Sequence, residues 1–146
     1  MKESLLISAC LMGVGCRYDG GRVRKVDVAQ LTDKYELIPV CPEIYGGLPT
    51  PRIPSERVGD RVVMKDGRDV TENFERGMEH TLMLAKALGA RLALLKAKSP
   101  SCGKGKIYDG SFSGTLTDGD GYTTEHLKRA GIEVYTEEEI DLLLSK

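Results

Sequence analysis

The chain has no tryptophan, and aromatic residues make up only 5% of its 146 positions. So sparse a set offers few stacking platforms for nucleic-acid bases. An excess of one charge is missing too, since 21 Lys and Arg stand against 22 Asp and Glu, a formal net charge of -1. That balance gives no electrostatic case for nucleic acid or for an anionic membrane surface. No apolar stretch approaches the ~20 residues of a membrane-crossing helix, and no secretory cleavage pattern follows the first residues. The expectation is a cytoplasmic protein acting on a small molecule, with neither a membrane nor a nucleic-acid partner. Histidine is scarce, with two copies. His80 falls on the exposed side of one expected helix and His126 inside a short one, and neither is expected to act. Closely spaced cysteine pairs are absent as well. This excludes zinc fingers and ribbons, the Cys-x-x-Cys of disulfide exchangers and the clustered run of bacterial ferredoxins.

What is present suits one folded unit spanning residues 1–146, with 40% hydrophobic and 29% charged residues. That length buries a proper core without disulfides or a structural metal. The apolar runs Leu5–Ala9, Glu36–Val40 and Leu92–Ala97 lack polar alternation, as strands buried on both faces of a parallel sheet do. Pro39 in the second run favours an edge position. Helices are expected over 26–35, from an N-cap at Asp69 (with Glu72 completing a capping box) to a stop at Gly89, and over 123–130. A terminal helix begins with a capping box at Thr136 and Glu139, after a strand over 132–135. In the longest helix Phe74, Met78, Leu82, Ala85 and Leu88 form the apolar stripe. The proline-rich stretch 42–56 reads as a long loop, a kind that usually carries function. Residues 61–64 and 69–70 read as a hairpin around Asp66-Gly67. The stretch from Cys102 to Gly121 reads as a second, glycine-rich loop. Strands alternating with helices point to an α/β, Rossmann-like fold with a mostly parallel sheet and long loops at its carboxyl edge, where such folds bind ligands.

Three of the four cysteines stand where an apolar strand ends: Cys10, Cys41 and Cys102. Right-handed crossovers bring those ends together along one edge of the sheet. Cys16, six residues past Cys10, folds back to the same place or supports it from nearby. In a reducing compartment such thiols are packing residues, redox thiols or metal ligands. Soft sulfur donors without histidine favour an iron–sulfur cluster or zinc, and the spacing alone leaves all of these open.

Further motifs narrow the field. Ser8-Ala9-Cys10-Leu11-Met12-Gly13, Cys16-Arg17-Tyr18-Asp19-Gly20, Cys41-Pro42-Glu43, Leu48-Pro49-Thr50-Pro51-Arg52 and Ser99-Pro100-Ser101-Cys102-Gly103 strongly resemble the bacterial 2-thiouracil desulfurase family, long catalogued as a domain of unknown function. So do Ile107-Tyr108-Asp109-Gly110, Phe112-Ser113-Gly114 and Gly119-Asp120-Gly121. The resemblance covers nearly the whole chain. It implies a [4Fe-4S] cluster, with zinc the lesser alternative, held by Cys10, Cys41 and Cys102, with one iron open to the sulfur of a thiolated substrate; Cys16 is a possible further ligand. The implied activity is non-redox desulfurization of a thiolated nucleobase or related thiocarbonyl compound. The rival is a non-catalytic metal or redox-sensing module built on the same cysteines.

Glu43, two residues past Cys41, is the expected general acid/base, against the plainer reading of a solvated loop carboxylate. Ser101 is expected to pass a proton, or else to satisfy the turn after Pro100. Asp19 and Arg52 are candidate substrate-binding residues, set against a turn-forming role for Asp19 and simple surface solvation for Arg52. Gly119-Asp120-Gly121 opens a helix where backbone N–H groups could meet an anion.

Overall fold

The computed structural model describes residues 2–21 and 26–146. In chain order its elements are β1 (Glu3–Ser8), α1 (Val28–Lys34), β2 (Tyr35–Val40), α2 (Pro42–Tyr45), β3 (Ser55–Val58), β4 (Arg61–Met64), α3 (Thr71–Ala87), β5 (Leu92–Leu95), β6 (Lys106–Tyr108), β7 (Leu116–Asp118), α4 (Tyr122–Arg129), β8 (Glu133–Thr136) and α5 (Ile140–Leu144). Four of the strands form a parallel sheet in the order β2-β1-β5-β8.

The unbroken apolar runs follow from this position. Leu5 and Ile7 of β1 pack on one face against Leu31 of α1 and Leu143 of α5. Leu6 packs on the other against Ala85 of α3 and Leu127 of α4. All three side chains of β1 are fully buried, each contributing roughly 1.5–3 kcal/mol. Pro39 lies in the edge strand, and its carbonyl accepts a hydrogen bond from the Tyr45 hydroxyl at 3.2 Å. The sheet direction reverses between β1 and β5: the chain leaves β1 for β2 on one side and returns to β5 on the other. A crevice opens at such a reversal, outside the carboxyl ends of the strands.

Several local expectations change. The stretch 42–56 is not all loop, because Pro42 opens the one-turn helix α2. Proline costs nothing at a first helical position, where its absent N–H has no partner to lose. The hairpin around Asp66-Gly67 forms, with Met64 N–H donating to the Arg68 carbonyl, Val70 N–H to the Val62 carbonyl and an antiparallel bridge between Val63 and Asp69, but β4 also pairs with β3 before it. That bridge keeps Asp69 extended, so Val70 takes the N-cap position and no capping box forms; the Asp69 carboxylate accepts the Thr71 N–H instead. The stretch after Cys102 holds the hairpin β6–β7, whose second strand is wholly exposed and so shows no apolar alternation. In α3 Phe74, Met78 and Ala85 are buried, Leu82 is partly buried and Leu88 is half-exposed at the helix end. The capping box at Thr136 and Glu139 forms, on a short 3-10 turn leading into α5.

The seat of α2 bears on function. It rests on α3 at two glycines: a Cβ on Gly77 would lie 1.9 Å from the Pro42 carbonyl oxygen, and one on Gly46 would lie 2.0 Å from that of Asn73. Backbone therefore meets backbone, and α2 has one place to sit. Among the described residues no helix is long and apolar enough to cross a membrane.

Candidate active site

A cavity of about 400 Å³ opens at the carboxyl edge of the sheet, with Cys10, Cys41 and Cys102 in its wall together with Cys16, Glu43, Arg52 and Ser101. The strands deliver the thiols. Cys10 lies in the turn just past β1, Cys41 directly follows β2, and Cys102 ends the loop that leaves β5. All four cysteines are unpaired thiols.

Burial pushes the Cys10 thiol up to about 12, helped by repulsion from Cys102 and Cys41. Cys102 is also pushed up to about 12 by burial, with the Ser8 hydroxyl pulling the other way and Cys41 adding to the rise. Cys41 is raised by its hydrogen bond with Cys16 and by burial, while the same bond lowers Cys16. The Cys41 thiol also lies 3.9 Å from the Cys16 carbonyl oxygen. All four thiols stand in the wall of the same cavity. Among the described residues no three His, Cys, Asp or Glu side chains converge as ligands of one metal ion. The cavity wall holds sulfur donors and no histidine. An all-sulfur donor set is of the kind that holds an iron–sulfur cluster.

The carboxylate of Glu43 is held at both oxygens. Arg52 donates from Nε to Oε1 at 3.1 Å, and Ser101 donates from Oγ to Oε2 at 2.8 Å. Ser101 Oγ also lies 2.9 Å from Ser99 Oγ and 3.7 Å from Cys102 Sγ. A continuous hydrogen-bonded path thus joins a thiol, a hydroxyl and a carboxylate.

The chain belongs to the 2-thiouracil desulfurase family. The model of that family matches residues 5–139. A solved structure described as the [4Fe-4S]-dependent thiouracil desulfidase TudS superposes with a TM-score of 0.93 at 47% identity, covering 99% of each chain. An uncharacterized protein of Bacillus subtilis (strain 168), YbbK, is 39% identical over 150 residues, covering 96% of this chain and 99% of the relative.

Within this desulfurase-family fold, the two residues expected to contact substrate are placed differently. Arg52 lines the cavity, but its guanidinium side chain is only 4% exposed and is spent on the protein. Besides Glu43 it donates to the carbonyls of Pro49 and Cys16 and to the Thr50 hydroxyl. It is a brace between α2 and the Cys16 loop. Asp19 is exposed, stands outside the cavity wall and accepts the Gly21 N–H at 2.8 Å, as a turn former does.

The expected anion site at Gly119-Asp120-Gly121 is also absent. The N–H groups of Gly121, Tyr122 and Thr123 donate to the carbonyls of Gly103, Pro100 and Ser101. A Cβ on Gly121 would lie 2.5 Å from the Ser101 carbonyl carbon, so glycine is needed for the α4 start to clasp the Cys102 loop. His80 and His126 lie away from the cavity, as expected.

Several wall residues escaped the sequence reading, among them Glu56, Tyr108 and Phe112. Phe112 stood inside a quoted motif without a role. Glu56 closed a stretch read as loop, where its pairing in β3 gave no periodic signal.

Proposed function

We propose that this chain removes sulfur from thiouracil or a closely related thiolated nucleobase, with Cys10, Cys41 and Cys102 holding a [4Fe-4S] cluster. The observation that carries the reading is the convergence of three strand-end thiols on one cavity beside the Glu43–Ser101 pair. When bound through three cysteines, such a cluster supplies an iron with no protein ligand, a Lewis acid toward thiocarbonyl sulfur.

The protein's own groups handle the protons. Overall, a thiocarbonyl and water become a carbonyl and hydrogen sulfide, with no net change of oxidation state. A water adding to the thiocarbonyl carbon gives its proton to Ser101 Oγ as Ser101 passes its own to Glu43 Oε2, along the 2.8 Å bond already formed. The protonated Glu43 returns that proton to the departing sulfur by the same route, and the hydroxyl left on carbon releases the second proton through the same Ser101–Glu43 pair as the carbonyl forms, completing hydrogen sulfide. Arg52 keeps the Glu43 carboxylate turned toward Ser101 throughout. Cys16 stands beside Cys41 in the same cavity wall.

The test is anaerobic purification followed by turnover. The reading requires brown protein with about four irons per chain, releasing uracil and sulfide in equal amounts from 2-thiouracil. Iron-replete protein that leaves every thiopyrimidine intact would sink it.

A further inference from the structure

The cavity contains a second carboxylate that the desulfurization chemistry leaves idle. Glu56 is 9% exposed, and its Oε1 accepts the N–H groups of Gly110 at 2.9 Å and Phe112 at 3.1 Å. Among the described residues no hydrogen bond reaches its Oε2, and no cation pairs with it. Buried charged oxygens are normally satisfied, because leaving one bare carries a desolvation penalty. Glu43, on the same cavity, obeys that rule at both oxygens. Glu56 obeys it at Oε1, whereas Oε2 has no donor among the described residues and is not a sealed, buried atom, which leaves it an acceptor open to whatever fills the cavity.

The same bonds shape the wall beside it. Phe112 has a φ of 56°, a left-handed conformation that a bulky residue adopts only when its surroundings impose it. Glu56 imposes it by gripping the loop at Gly110 and Phe112. The loop is pressed against β3: a Cβ on Gly110 would lie 2.6 Å from a Val58 methyl. Although the chain has only six tyrosines and two phenylalanines, Tyr18, Tyr108 and Phe112 all line this one cavity. An aromatic wall next to an open acceptor suits a flat heterocycle that carries N–H donors on its edge.

We propose that Glu56 is a substrate-binding residue whose Oε2 accepts a ring N–H of the thiolated heterocycle, while the ring face packs against Phe112. This deepens the desulfurase reading and rests on it. The substrate class is thereby narrowed to planar cyclic thioamides and thioureas with an unsubstituted ring N–H. Thiocarbonyl compounds without such an N–H are refused.

The experiment compares 2-thiouracil with its 1-methyl and 3-methyl derivatives, using holoenzyme and the iron-loaded E56Q variant. The wild type should lose roughly 10- to 100-fold in kcat/KM on at least one derivative, the scale of a hydrogen bond to a charged group. E56Q should raise KM for 2-thiouracil by a similar factor with kcat little changed, and its discrimination against the methylated ring should shrink. Calorimetric binding of uracil should weaken in parallel, at unchanged iron content. Discrimination that persists undiminished in E56Q reflects steric exclusion and overturns the proposal. If E56Q does not fold, E56D replaces it: diminished discrimination in E56D supports the proposal, and undiminished discrimination, or equal use of all three compounds by the wild type, overturns it. A wild type inert toward 2-thiouracil defeats the desulfurase reading itself, a result distinct from an active wild type matched by E56Q.

Discussion

Substituting Gly77 by alanine tests whether the seat of α2 governs the chemistry. The added methyl would sit 1.9 Å from the Pro42 carbonyl oxygen, where even tight contacts stay at 3.0 Å or more. The blocking atom is backbone, so relief requires α2 to move off α3 by ~1 Å or more. Overpacking of that kind costs ~1–3 kcal/mol, a cost that leaves a domain of this size folded. The functional loss should be larger than the stability loss suggests. α2 begins immediately after Cys41 and carries Glu43 in its first turn, and a misplacement of ~1 Å at a reacting group can cost ~10²-fold. The expected outcome is a folded variant, weakened by that amount in urea titration, with kcat/KM for 2-thiouracil down ~10²-fold. A variant that is destabilised but within threefold of parent activity would refute the link between this helix contact and Glu43. One with unchanged stability would show that α2 has room to slide after all.

Serine in place of Cys10, Cys41 or Cys102 should each abolish stable iron binding, measured as iron per chain, whereas Cys16→Ser should lower it less; retention in C41S beside loss in C16S would reverse the assignment. Glu43→Gln should keep iron and fold but lose ~10²–10⁴-fold in turnover, the usual range for a general acid–base group; near-normal turnover would return Glu43 to a structural role. Cluster-free protein should lose stability as the pH rises from about 9 to about 12, because Cys10 and Cys102 ionise in the unfolded chain at the lower value but in the folded one only near the upper. The slope, read from urea midpoints across that window, is ~1.4 kcal/mol per pH unit per thiol, and a flat profile would contradict the buried, protonated thiols.

The parallel sheet was legible because the central strands β1 and β5 are buried on both faces and so read as unbroken apolar runs, while Pro39 marked β2 as the edge strand. The strand-end cysteines were legible for the same reason, since a run that stops at a thiol marks the edge where ligands gather. The hairpins were not. β7 is wholly exposed and β3 holds Ser55, Glu56 and Arg57, so neither has an apolar face to announce it. The roles of Arg52 and Asp19 depended on partners distant or purely local in the chain, and residue type alone could not separate a substrate clamp from a brace or a turn. Gly121 was visible as a glycine. Its reason, the close approach of the Cys102 loop, exists only in three dimensions.

The order in which the strands enter the sheet has a consequence for biosynthesis. β1 and β2 pair with each other early in the chain, and they bring Cys10 and Cys41 to one edge. Cys102 arrives only after β5 has docked against β1, and its loop is clasped only when the start of α4 has been made. A nascent or stalled chain ending before that helix therefore offers two of the three proposed ligands and no closed cavity. If Cys10, Cys41 and Cys102 hold the cluster, a chain lacking the α4 segment is expected to bind it poorly, because the cavity those residues share is not yet closed.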